Sequence, residues 1–148
     1  MYISGKNINP QIIMMTEELI RLKSIGPIDY YLRPNKILQG KFTDSSPKIS
    51  AEDISNTLLF FQEYSSKKGE PLCILINFSA LKQLPIKARH HLRSEQVKAF
   101  APYSKGIALV IENSISRLLG NVLLSVVKDY NLKLFTNEEK AIDWLKQL

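Results

Sequence analysis

The stretch that most constrains this chain is Pro71–Ser79, PLCILINFS. It is a continuous apolar run set between Gly69 and a polar turn. Runs of this length, rich in Ile and Phe, suit a central strand covered on both faces. A strand of that kind needs partners on each side, and the flanking sequence supplies helical patterns both before and after it. A buried strand between amphipathic helices implies a layered α/β domain.

The remaining elements are read outward from that run. Ser50 is placed to cap a helix, with Asp53 three residues on as a variant of the capping box and Ile49 and Ile54 as a hydrophobic staple. Ile54, Leu58 and Phe61 repeat at helical spacing, and Gly69 closes the segment after Lys67 and Lys68. Beyond the run, Pro85 suits the first turn of a second helix over about 86–101, ended by Pro102. Ala88, Leu92 and Ala99 share one face of it, whereas Val97, Phe100 and Ala101 share another, which implies a kink or restart near Ser94. Gly106–Glu112 is a second buried strand. Ile115, Leu118, Leu119, Val122, Leu123 and Val126 then form the apolar face of a third helix. Lys133–Phe135 is a short strand, and Thr136 with Glu139 forms a capping box for a last helix carrying Ala141, Trp144, Leu145 and Leu148.

Ahead of residue 50 the signals are those of strands. Glu18–Lys23 alternates, with Leu19, Arg21 and Lys23 on one face and Ile20 and Leu22 on the other. Gly26-Pro27 marks a turn, Ile28–Leu32 a second strand, and Ile37–Phe42 a third. Residues 1–16 read as a loose arm and 17–148 as one domain. From residue 50 onward helices and strands alternate, which argues for parallel strands joined by right-handed crossovers, while the leading hairpin makes the sheet mixed. The expected fold class is thus α/β, a single domain with a mixed, mostly parallel sheet flanked by helices.

LCILINFSALKQL, KGIALVIENSISRLLGN and LKLFTNEEKAIDWLKQL, three stretches within about Leu72–Leu148, resemble the STAS domain of anti-sigma factor antagonists (SpoIIAA). The resemblance is nearer to the SpoIIAA-like, STAS-like proteins of bacteria. The N-terminal part is similar in element order alone. The resemblance implies a SpoIIAA-like (STAS-like) fold and a regulatory or protein-interaction role. It also implies, as the alternative, a small-ligand or lipid-binding role, since some STAS-like proteins are grouped with Sec14-type lipid carriers. In partner-switching antagonists a phosphorylated serine opens the helix after the central strand. The matching turn here is Leu84-Pro85-Ile86-Lys87, without a hydroxyl, so that switch carries over to no residue.

The residues offer little for catalysis. There is no G-x-S-x-G, P-loop or Rossmann glycine pattern. His90 and His91, the two histidines, are adjacent, and neighbours on a helix point about 100° apart and do not chelate one metal. His91 reads as a packing residue, and Glu95 is left in solvent by the break at Ser94. No cofactor, metal site or catalytic residue is expected, and the chain reads as a non-enzyme. One cysteine, Cys73, forms no disulfide within the chain and suits a reducing compartment. The start, with a short apolar stretch after Pro10, lacks the pattern of an export signal, and no segment has the length of a membrane span. These features predict a cytoplasmic protein.

Charge supplies the most suggestive surface. The chain carries a formal +6, and between Lys82 and Lys105 six basic side chains face Glu95 alone. Lys87, Arg89, His90 and Arg93 form the expected partner or anion site, which suits an acidic protein partner or a small anion or lipid. No motif specific to nucleic acid accompanies them. On the third helix Gly120, Leu124 and Val127 lie within about 60° of arc, a side left over by the main apolar stripe. That side predicts a weak homodimer through an apolar, isologous contact.

Overall fold

The computed structural model describes residues 19–43, 48–126 and 130–148. The expected arm at 1–16, most of the loop after Phe42, and Val127 lie outside the described residues. Six strands form one sheet in the order β1-β2-β3-β4-β5-β6: β1 Ile20–Ile25, β2 Ile28–Leu32, β3 Ile37–Phe42, β4 Leu72–Asn77, β5 Ser104–Val110 and β6 Leu132–Phe135. The first three are antiparallel, and β3 through β6 are parallel. Among the described residues the helices are α1 Ala51–Lys68, α2 Ile86–His91, α3 Glu95–Ala99 and α4 Ser114–Val126, which lie between strands, and α5 Glu138–Lys146, which follows β6. A 3-10 turn, Ala101–Tyr103, leads into β5.

The apolar run does what its composition demands. In β4, Ile74 and Leu75 are fully buried although they point to opposite faces. Ile74 and Ile76 join Tyr30, Phe61, Phe100 and Leu109 in the larger core, beneath α1 to α4. Leu75 joins Ile37, Ala108, Val110, Ala141 and Leu145 in a smaller one beneath α5. The two faces differ in spacing for a simple reason. Ala108 and Ala141 are small and fully buried, so α5 lies close on the sheet. The opposite face is propped apart by Ile, Leu, Phe and Tyr side chains.

Local signals explain where the elements start and stop. Ser50 and Asp53 form the reciprocal capping box, with both hydrogen bonds at 3.0 Å. Gly69 ends α1 in the left-handed conformation, φ 72°. The second helical segment breaks at Ser94, as its two faces require, giving α2 and α3. That break turns Ala88, Leu92, Val97 and Phe100 all inward and leaves Ala99 exposed, unlike the face expected from an unbroken helix.

Three further expectations are corrected. In β1 a bulge between Arg21 and Lys23 breaks the simple alternation. Arg21 therefore pairs with Asp29 at 3.1 Å, while Lys23 lies over the Phe60 ring on the opposite face. In α4, Leu118 is exposed rather than part of the inward stripe. The cap of α5 is Asn137, whose side chain accepts from the Lys140 N–H at 3.1 Å; Thr136 lies one residue too early, so Glu139 does not complete a box with it.

Candidate functional site

The wide spacing of the larger core leaves a cavity of about 120 Å³ between the sheet and α1, α3 and α4. Ile74, Ile76, Ile107 and Leu109 form its floor from β4 and β5. Phe61 from α1, Val97 from α3, Phe100 capping the end of α3, and Leu123 from α4 close over it. These positions follow from strand parity: alternate residues of β4 and β5 face the same layer.

The polar groups that reach this wall are already engaged. The Tyr30 and Thr57 hydroxyls bond each other at 3.0 Å. Asp53 accepts the N-cap N–H of Ser50. The Tyr130 hydroxyl donates to the Val97 carbonyl. Burial pushes the Tyr30 phenol well above its ordinary pKa; the Thr57 hydrogen bond opposes the rise and the Asp53 charge adds to it. Burial also raises that of Tyr130. Both phenols remain neutral at physiological pH. Among the described residues, the cavity therefore presents hydrocarbon and aromatic surface, with no free acid or base aimed into it. A space of this kind suits an apolar group.

The residues expected at the partner edge are only partly brought together. Lys87 and His90 are exposed on α2, and Arg93 is exposed beyond its end. Arg89 instead turns to the flank, half-buried, with its Nε enclosed and unpartnered among the described residues. Pro85 caps α2 without a side-chain hydrogen bond, and the helix is only six residues long. An extended anion site at its start has little dipole to draw on. His91 does pack, its Nε2 lying 2.9 Å from Gln96 Oε1, and Gln96 in turn bonds Ser55 of α1. Glu95 stands in solvent.

The expected self-association side of α4 is not one exposed surface. Gly120 is buried, and a Cβ there would meet Leu134 of β6 at about 3.0 Å, so the glycine leaves room for that side chain. Leu124 is exposed, and Val127 lies outside the described residues.

Residues 32–148 match a family described as a domain of unknown function (DUF7793). The chain belongs to that family. No curated protein matches it. Among solved structures it is similar to a protein of the DUF3478 family from Shewanella loihica PV-4, described as uncharacterized and as having a SpoIIAA-like fold. That likeness has a TM-score of 0.52 at 16% identity and covers 86% of this chain and 92% of the other. The DUF7793 domain seen here thus has a SpoIIAA-like fold, in line with the three stretches that resemble it in sequence. Among the described residues, no three His, Cys, Asp or Glu side chains group as metal ligands. No helix of the described residues is long and apolar enough to cross a membrane.

The cavity was not legible from the sequence. Its lining comes from the same apolar periodicity that marks any core, and only the tertiary spacing of the helices reveals that the volume is incompletely filled.

Proposed function

We propose that this chain is a non-catalytic binding module that takes a small apolar molecule, or the apolar end of a longer one, between the sheet and the helices α1, α3 and α4. The cavity of about 120 Å³ carries this reading. Engineered cavities of about 150 Å³ lined by Leu, Ile and Phe stay dry and bind benzene. The engaged hydroxyls of Tyr30 and Tyr130 support a hydrocarbon guest over a polar one. A methyl-resolved NMR titration with benzene and with hexanol tests it. Saturable shifts centred on Ile74, Ile107 and Leu109 are expected, and they should vanish in Leu123→Phe, which fills the space from the α4 side. Shifts that never saturate, or that persist in a folded Leu123→Phe, would overturn the reading.

A second reading has its own observation. Ile86, at the head of α2, is 62% exposed beside Lys87 and His90. An apolar anchor flanked by cations suits an acidic protein segment, which would give the module a regulatory, partner-binding role. Capture of such a partner should fall with salt and be lost in Ile86→Asp with Lys87→Glu. Capture that both changes leave intact would remove this reading.

A further inference from the structure

A second hollow lies at the edge of the sheet where β3, β4 and β5 begin. Its volume is about 760 Å³, within the range of small-ligand sites. The floor is apolar, formed by Ile37, Leu72, Leu145 and Leu148, with Tyr64 at one side. Four lysines from four separate elements stand around it: Lys36 before β3, Lys68 ending α1, Lys105 in β5 and Lys146 ending α5. Among the described residues, Glu70 is the one carboxylate side chain in the lining, and its partner is Lys36 at a loose 3.9 Å.

Lys68 and Lys146 have an ordinary explanation, since cations at helix C-termini complement the helix dipole. Lys36 and Lys105 belong to no helix, and the pairing of Lys36 with Glu70 is long and solvent-exposed, a geometry that contributes little to stability. Lys36 is the more telling. It sits at φ 64°, in the left-handed region that favours glycine, within a turn closed by Arg33 and Ile37. A lysine in a backbone conformation where glycine costs less is an outlier that a use for its side chain would explain.

From this arrangement we infer that the hollow binds an amphipathic anion, a compact apolar body carrying a single phosphate or carboxylate. The body lies on the Ile37, Leu72 and Leu145 floor, and the head group meets Lys36 and Lys105. The site is separate from the cavity beneath α1 and α4 and stands or falls independently of it.

Calorimetric titration with 1-naphthyl phosphate, 1-naphthoate and neutral 1-naphthol tests the inference, and the tighter of the two anions identifies the head group. At least one anion should bind saturably and about tenfold more tightly than 1-naphthol, with affinity falling as salt rises. Lys36→Gly and Lys105→Gln should each weaken that anion by about tenfold. Lys36→Gly should at the same time raise the melting temperature, because it relieves the backbone, so lost binding cannot be ascribed to lost fold. No saturable binding of either anion, equal binding of 1-naphthol, or unchanged affinity in both variants would overturn the inference.

Discussion

Single residues show how tightly the local rules bind in this fold. Gly26 has φ 54°, and a Cβ placed there would run into the Asp53 carboxylate. Ala at this position meets both the left-handed penalty and the helix cap, and Gly26→Ala should destabilise the protein by about 2 kcal/mol in denaturant unfolding. Tyr30 makes a second residue-level prediction. Its pKa is raised by burial in the folded state, so above the unfolded value of 10.0 the unfolded chain releases a proton that the native chain keeps. The contribution is therefore fully present below about pH 10 and is lost as pH rises beyond it, by about 1.4 kcal/mol per pH unit. Tyr30→Phe removes that slope. Its stability at neutral pH should fall by about 1 kcal/mol with the Thr57 hydrogen bond, while its stability between pH 10 and 11.5 should decline less steeply than in the natural chain.

Elements are held by their ends and by one face each. The capping box of α1 is exposed and reciprocal, and Ser50→Ala should cost about 1 kcal/mol, read as a shift in the unfolding midpoint. The helix α4 is the better test of surface against core. Leu124 is 45% exposed on it, so Leu124→Glu should keep the fold, with stability changed by less than about 0.5 kcal/mol. Sedimentation of the same variant addresses self-association: a dimer of the natural chain that dissociates in Leu124→Glu would place the contact on this face. Gly120 is legible in sequence as a small residue in a helix. Its purpose is not, because the neighbour that needs the space, Leu134, comes from the next strand in the chain and meets it only after β6 docks beside β5.

For the whole molecule, the match to the DUF7793 family begins at residue 32, whereas the sheet begins at Ile20. The hairpin of β1 and β2 is nevertheless integral. Ile25, Ile28 and Tyr30 are buried in the larger core, and Tyr30 packs against both Phe60 and Phe61. A fragment of residues 32–148 would open that core and leave β3 as an unprotected edge. It should lose the single cooperative transition of the full chain and bind a hydrophobic dye. A fragment that melts cooperatively near the temperature of the full chain would show that the hairpin is dispensable.

The sequence by itself determined the order of the elements, the parallel sense of the later strands and the burial of the Pro71–Ser79 run. Each of these follows from local pattern: apolar periodicity, caps at Ser50 and Gly69, and prolines at 85 and 102. The break at Ser94 was also legible, because two apolar faces on one helix cannot both turn inward unless it bends. Tertiary structure alone decided the bulge in β1, the choice of Asn137 over Thr136 as a cap, and the burial of Gly120. It also decided the two hollows. The cavity depends on large side chains holding α1 and α4 off the sheet while Ala108 and Ala141 let α5 close on the other face. The basic hollow depends on four lysines, from residue 36 to residue 146, that meet only because the parallel strands all start at one end of the sheet. Distances across a fold are set by the summed volumes of many side chains, and no local pattern carries that sum.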